Sequence, residues 1–261
     1  MSGKLPTLTV LIITFNEENN IRDCIESARL LTDEIIHIDT SSTDKTVKIA
    51  SVCGIKSYIV PHLGIVEPIR NAAIKKVKTD WFFLLDADER ITSNLKAEID
   101  SKLQDTKATY FQMPRKNIFA KKKWLRYGGW YPDIVTRLIK TDSFKSWPSE
   151  IHSRPIIVGD KGVLDEALIH FFHSDITEMV QKTINYEQKV AQLLFEAKRS
   201  VKIFTFFRKF LAEFLRRYIQ KLGILDGKFG LLESIYQAYS QTITWLFLWE
   251  KYEREKLSKA K

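Results

Sequence analysis

Residues Trp81-Phe82-Phe83-Leu84-Leu85 form an unbroken apolar run that leads straight into Asp86-Ala87-Asp88-Glu89-Arg90. A run this bulky predicts a strand buried on both faces, as in a parallel sheet covered by helices. Such a strand delivers the residues after it to the carboxyl edge of the sheet, where open α/β folds bind ligands. Here those residues include two carboxylates two positions apart. Hard oxygen ligands in that pattern suit Mg2+ or Mn2+ held against a diphosphate. A solvated acidic turn gives the same short pattern, so the rest of the chain decides between the two.

The segments ahead of this strand alternate between periods. Leu8 to Thr14 is apolar and β-branched and predicts a buried first strand. Ile21, Cys24, Ile25 and Ala28 share one helical face. Glu34 to Asp39 predicts a second strand that also ends on an acid, followed by the hydroxyl-rich Thr40-Ser41-Ser42-Thr43-Asp44. A helix with Val47, Ile49 and Ala50 comes next, then a strand over Ile55 to Val60 and a helix over Ile69 to Val77. Repeated strand-helix alternation with short connections predicts a right-handed, mostly parallel α/β sheet with a nucleotide site along its carboxyl edge. Neither G-x-G-x-x-G nor G-x-x-x-x-G-K-[ST] occurs, so a dinucleotide or P-loop site is not expected. Some other group must neutralise phosphate, and a metal on Asp86 and Asp88 would supply it.

These pieces resemble family 2 glycosyltransferases. Thr14-Phe15-Asn16-Glu17, Asp39-Thr40-Ser41-Ser42-Thr43-Asp44, Arg70-Asn71 and Asp86-Ala87-Asp88-Glu89-Arg90 stand in that family's order and spacing. The resemblance implies a GT-A fold and a nucleotide-diphosphate sugar donor. It implies that Phe15 and Glu17 line the nucleotide pocket, with Thr14, Asn16, Ser41, Asn71 and Ala87 in the same motifs. Asp39 would contact base or ribose, Arg70 the nucleotide side, and Asp86 and Asp88 the ribose and metal. The family usually has glycine where Ser41 stands, so a different backbone is expected in that turn. Glu17 and Asp44 also suit plain helix capping.

After Arg90 the pattern predicts a helix over Thr92 to Leu103 and a strand over Ala108 to Pro114. Arg115 to Arg126 then holds six basic residues and no acid, with Phe119 and Trp124 among them. Such a stretch suits a solvated loop, single-stranded nucleic acid or anionic headgroups. Gly128-Gly129-Trp130-Tyr131-Pro132-Asp133, Arg137 and Trp147-Pro148-Ser149-Glu150-Ile151-His152 resemble the acceptor half of a sub-group that builds lipopolysaccharide core and similar bacterial surface glycans. That sub-group has a His-Glu pair where this chain has His152-Ser153. An inverting transfer needs a base for the acceptor hydroxyl. Asp133 is the first candidate and Glu150 the second, while imidazole makes His152 a third metal ligand beside Asp86 and Asp88. His170 and His173 flank Phe171-Phe172 and are expected to pack, with a diphosphate contact as the alternative.

From Asp175 the pattern is helical. Ile203, Phe207, Phe210, Phe214, Tyr218 and Leu222 recur at three- and four-residue steps. Between Lys198 and Lys221 there are eight basic residues against one acid, Glu213. An aromatic face backed by cations is the composition of a helix in a membrane interface. The remaining helix is expected over Leu231 to Trp249, with Glu250 to Lys261 a fraying tail. No stretch is long enough to span a bilayer, Met1 to Pro6 shows no signal-peptide core, and two cysteines, Cys24 and Cys53, suit a reducing compartment. The net charge of +9 points to an anionic partner.

The expectation is therefore an α/β GT-A-type catalytic domain over 1–174, split into a nucleotide-sugar half (1–105) and an acceptor half (106–174), with a helical region over 175–261. Its function would be metal-dependent inverting transfer of a hexose, glucose first, to a lipid-linked or lipopolysaccharide-type glycan. It would work in the cytoplasm, peripheral on the inner face of the membrane. The rivals are a sugar-phosphate nucleotidyltransferase, which releases pyrophosphate, a nucleic-acid-binding module using the basic patches, and a non-catalytic scaffold.

Overall fold

The structure, a computed structural model, describes residues 6–63, 66–149, 153–172 and 176–259. The chain falls into two compact units, 1–115 with 133–170, and 116–132 with 171–261. A hairpin from the middle of the chain groups with the C-terminal helices.

The first unit begins with β1 (Leu8–Thr14), α1 (Ile21–Ala28), β2 (Ile35–Asp39), α2 (Thr46–Val52), β3 (Ser57–Ile59), α3 (Glu67–Ile74) and β4 (Trp81–Asp86). Strands β3, β2, β1 and β4 lie side by side and parallel. Val10 to Ile12 and Trp81 to Leu85 are buried, because helices cover both faces and leave no polar side for alternation. Ile21, Cys24, Ile25 and Ala28 of α1 are all buried, as their spacing demands, on the same core as Phe83 and Leu85. Leu11, Phe82 and Leu84 point to the opposite core with Ile69 and Ile74 of α3.

A two-residue strand, β5 (Glu89–Arg90), and helix α4 (Ser93–Gln104) come after β4. Thr92 caps α4 by accepting from the Leu95 N–H at 3.1 Å. Next come β6 (Ala108–Phe119), β7 (Lys123–Trp124), β8 (Asp133–Lys140), β9 (Phe144–Ser146), β10 (Ile156–Ile157), β11 (Asp160–Val163) and β12 (Leu168–His170). Strand β8 runs antiparallel to β4 and to β6, and β12 pairs with β5, so the mainly parallel sheet acquires an antiparallel side beyond β4.

The second unit is built from this hairpin and the C-terminal helices. The basic stretch is not a solvated loop: Ile118 pairs with Trp124 and Phe119 with Lys123 across the β6–β7 hairpin. Lys116 and Arg126 lie over the Trp124 ring at 5.2 and 4.5 Å. Buried Asp226 accepts from the Arg126 and Tyr127 N–H groups at 2.9 and 2.8 Å, which ties this hairpin to the C-terminal region. Phe119, Leu125, Phe172 and Met179 form its core with Trp130 and Phe229 against them.

That region holds α5 (Ile176–Glu196), α6 (Ile203–Leu215) with a π-helical extension over Arg216–Gln220, a 3-10 turn over Gly223–Asp226, and α7 (Gly227–Lys259). Gly230 is required by a close approach: a Cβ there would lie 1.8 Å from the Gly223 carbonyl oxygen. Helix α7 does not stop at Trp249. The ion pairs Arg254–Glu250, Lys256–Glu253 and Lys259–Glu255, three or four residues apart, support the charged end as helix. On α6 and its extension, Phe204, Phe207, Leu211, Leu215 and Ile219 form an exposed stripe, with Phe204 80% and Phe207 73% exposed, and Leu222 just after it is exposed too. Phe206 and Phe214 are half-buried, so the helix carries apolar residues on two sides. No described helix is long and apolar enough to cross a membrane.

Glu233 on α7 is almost fully buried, and its Oε1 has no hydrogen-bond partner among the described residues. Burial raises its carboxyl to about 7. A raised value means the folded state prefers the proton, so stability is complete below the unfolded value near 4.5 and is lost as pH climbs through 7. The difference corresponds to about 3 kcal/mol. Glu233→Gln is expected to unfold at higher urea than the parent at pH 8.5, with the gain vanishing toward pH 5. An equal gain at both pH values would contradict this assignment.

Candidate active site

Three strand ends meet at the carboxyl edge of the first unit. Thr14 pairs in register with Asp39, and Ile13 with Asp86. The loops after β1 and β2 are laced together. Asn16, in the left-handed region at φ 54°, accepts from the Thr43 N–H at 2.8 Å and donates its own N–H to Ser42 Oγ at 2.8 Å. The Glu17 N–H donates to Thr46 Oγ1 at 2.8 Å, and the Glu18 N–H to Asp44 at 2.9 Å. Asp44 also accepts from the N–H of Thr46, the first residue of α2, at 2.9 Å. Glu17 accepts from the Asn20 amide at 2.8 Å.

Ser41 takes the backbone that glycine would. Its φ is +63°, and its hydroxyl donates to the Val60 carbonyl at 2.9 Å, which helps to hold a conformation that side chains resist. Ser41 thus adopts a left-handed backbone that glycine takes at no steric cost. Asp39 is fully buried: Oδ1 accepts from the Ser42 N–H at 2.8 Å, and Oδ2 from the Thr14 and Ser42 hydroxyls at 2.8 and 2.6 Å. Its carboxylate fixes the loop. Phe15 stays 40% exposed and stacks on His62 at 3.8 Å, while His62 Nδ1 lies 3.2 Å from Thr40 Oγ1. His62 was not foreseen, and nothing in its local sequence marked it.

On α3, Arg70 and Asn71 divide their work. Asn71 pairs with the backbone of Trp147, donating to its carbonyl and accepting from its N–H, both at 2.7 Å. Arg70 lies over the Trp147 ring at 4.4 Å and reaches Asp86 Oδ1 at 3.6 Å. Asn71 thus docks the segment after β9. Glu150 and His152, two of the candidates on that segment, lie outside the described residues, as does His173.

Asp86 keeps 38% of its side chain exposed, yet arginines hold both of its oxygens. Arg137, buried on β8, donates Nη2 both to Asp86 and to Glu89 Oε1, the latter at 2.7 Å. Burial opposes the charge on Asp86, but Arg137, Arg70 and Arg115 outweigh it and hold the carboxyl well below the ordinary range. Glu89, fully buried, also accepts from Arg115 Nη1 at 3.0 Å. Arg115 in turn gives Nε and Nη2 to Asp133 Oδ2 at 2.8 and 2.7 Å, across the register pair of β6 and β8. Arg70, Asp86, Arg137, Glu89, Arg115 and Asp133 form one chain of alternating charge. The signal for it was a cation in the middle of an apolar strand, Ile134-Val135-Thr136-Arg137-Leu138-Ile139, since a buried guanidinium must be paired.

Asp88 faces a different partner. Its Oδ2 lies 3.3 Å from His170 Nε2 at the end of β12. A carboxylate oxygen beside an imidazole is a donor set that Mg2+ or Mn2+ accepts, Mn2+ more readily. Among the described residues no cluster of three or more such ligands occurs, so a metal here fits as one completed by phosphate and water, with Asp86 committed to arginines. Ala87 contributes its carbonyl, which accepts from Arg90 Nη1 at 2.7 Å and so fixes the turn between the two aspartates.

A mainly parallel α/β sheet with acids gathered at its carboxyl edge places a ligand site there. The chain belongs to glycosyl transferase family 2, whose model matches residues 9–160. It is 28% identical over 250 residues to an uncharacterized glycosyltransferase of Rickettsia conorii, covering 90% of this chain and 86% of that one. It is 29% identical over 256 residues to another of Rickettsia bellii, covering 90% and 83%. In fold it is similar to a mannosyltransferase of Pyrobaculum calidifontis solved with GDP-Man and Mn2+, at a TM-score of 0.50, 12% identity, and 90% and 74% of the two chains.

Proposed function

We propose that the chain is an inverting, metal-assisted hexosyltransferase, using UDP-glucose first among nucleoside-diphosphate sugars and a lipid-linked or lipopolysaccharide-type glycan as acceptor. The observation that carries the reading is the register that gathers Thr14, Asp39 and Asp86 at one sheet edge, with Asp88 two residues on. The GDP-Man and Mn2+ bound by the similar mannosyltransferase are consistent with it. In this reading the exposed ring of Phe15 offers a face for the base, and Glu17 and Arg70 line the nucleotide side. Asp39, Asn16, Ser41 and Asn71 keep the loops in place. Asp88 and His170 would hold Mg2+ or Mn2+, which supplies charge neutralisation for the departing diphosphate.

Asp133 is the proposed base. It takes the proton of the acceptor hydroxyl as that oxygen bonds to the anomeric carbon and the bond to the diphosphate breaks, releasing a nucleoside diphosphate. A nucleotidyltransferase would release pyrophosphate instead, so product analysis separates the two. Nucleoside diphosphate release is expected from one member of a sugar-nucleotide panel, raised by Mn2+ and lowered by about 100-fold or more in Asp88→Asn. Unchanged turnover in that variant would overturn the metal assignment.

Location at the inner face of the cell membrane is supported by the exposed stripe from Phe204 to Ile219 and by exposed Leu222, with Lys202, Arg208, Arg216 and Lys221 also exposed on the same segment. Apolar residues backed by one sign of charge suit an anionic bilayer. Co-sedimentation with phosphatidylglycerol-containing vesicles is expected, weakened by about 10-fold or more when Phe204 and Phe207 both become serine. Equal binding by the double variant, or none by the parent, would refute it.

A further inference from the structure

Glu89 has no part in the transfer chemistry itself, yet its carboxylate is fully buried and lies between two guanidiniums. Oε1 accepts from Arg137 Nη2 at 2.7 Å and from Arg115 Nη1 at 3.0 Å. Oε2 accepts from the Asp86 N–H at 3.2 Å. A buried carboxylate persists only when paired, and here each partner has a second acid to serve. Arg137 gives the same Nη2 to Asp86, and Arg115 gives two nitrogens to a single oxygen of Asp133. Three cations and three anions alternate without a gap: Arg70, Asp86, Arg137, Glu89, Arg115, Asp133. Glu89 is the member that joins the donor-side acid to the acid on the rim of β8.

We propose that Glu89 is a positioning residue that divides Arg137 and Arg115 between Asp86 and Asp133, holding both carboxylates in place through one charge-alternating chain. The inference rests on the reading of Asp133 as the base. Glu89 takes Nη1 of Arg115 and leaves Nε and Nη2 to Asp133, so its charge sets the direction in which this guanidinium presents its two-pronged edge to Asp133. Glu89 acts on the donor side through Arg137, which keeps Asp86 whether or not Glu89 is charged. Its loss therefore falls on turnover more than on donor affinity.

The test is a double-mutant cycle in the full chain, reading UDP release from UDP-glucose with Mn2+, or from the panel member that is turned over, beside UDP affinity and thermal melts. Glu89→Gln keeps the shape and removes the charge. It is expected to lower kcat by about 10- to 100-fold with KM for the donor within about threefold, since a mispositioned general base costs on that scale. In an Arg115→Gln background the same change is expected to cost less than about threefold, because the path to Asp133 is already cut. An equal loss in both backgrounds shows that Glu89 supports only the fold and overturns the proposal, as does an unchanged kcat. If Glu89→Gln does not fold, Arg115→Lys decides: it keeps the charge and loses the two-pronged hold, so an unchanged kcat there overturns the proposal too. Asp133→Asn separates the failures. Full turnover in that variant removes the base reading itself, whereas lost turnover with a wild-type Glu89→Gln removes only the role of Glu89.

Discussion

The structure of the site depends on one buried cation. Arg137 sits on β8 beside β4, enclosed by the sheet, and its Nη2 serves Asp86 and Glu89 together. Without a cation there, Asp86 would keep only Arg70, at 3.6 Å, and Glu89 only Arg115, at 3.0 Å, with no charge between the two carboxylates at the end of a strand packed on both faces. With it, the acid run can close a buried strand. The apolar strand and the acids at its end belong to one arrangement, because the antiparallel neighbour that covers β4 also carries the charge that neutralises its end. Arg115 extends the same logic to Asp133.

The parallel half of the fold was legible because burial on two faces writes itself into composition. Leu8 to Thr14 and Trp81 to Leu85 have almost no polar residues, and the face of Ile21, Cys24, Ile25 and Ala28 is set by helical period alone. The antiparallel side was only partly legible. Ala108 to Pro114 announced a strand, but β6 continues to Phe119 through Arg115, Lys116 and Asn117, where charge hid the extended backbone. Those cations looked solvated since periodicity does not reveal partners: Glu89 lies 26 residues from Arg115. The tail after Trp249 read as loose for the same reason, although pairs such as Arg254–Glu250 support it as helix.

The site shows a similar division. Motif order located the sheet edge, and Asp39, Asp86 and Asp88 are there. What each side chain does there was not legible, since it depends on long-range neighbours. Asp39 spends its oxygens on Thr14 and Ser42, and Asn71 spends its amide on Trp147, 76 residues away. Ser41 departs from the expected glycine yet holds a positive φ through a hydroxyl bond to Val60, so residue type was a poor guide to backbone there. His170 approaches Asp88 because β12 pairs with β5, a two-residue strand too short to leave a pattern.

If Arg137 is what permits acids to end a buried strand, replacing it with an apolar side chain of similar length should remove the one cation that Asp86 and Glu89 share. Urea unfolding of Arg137→Met at pH 7, compared with the parent, is the direct measurement. A loss of about 3–5 kcal/mol is expected, the cost of removing one partner from a buried ion pair. A loss below about 1 kcal/mol, the scale of an exposed pair, would contradict the central role of Arg137.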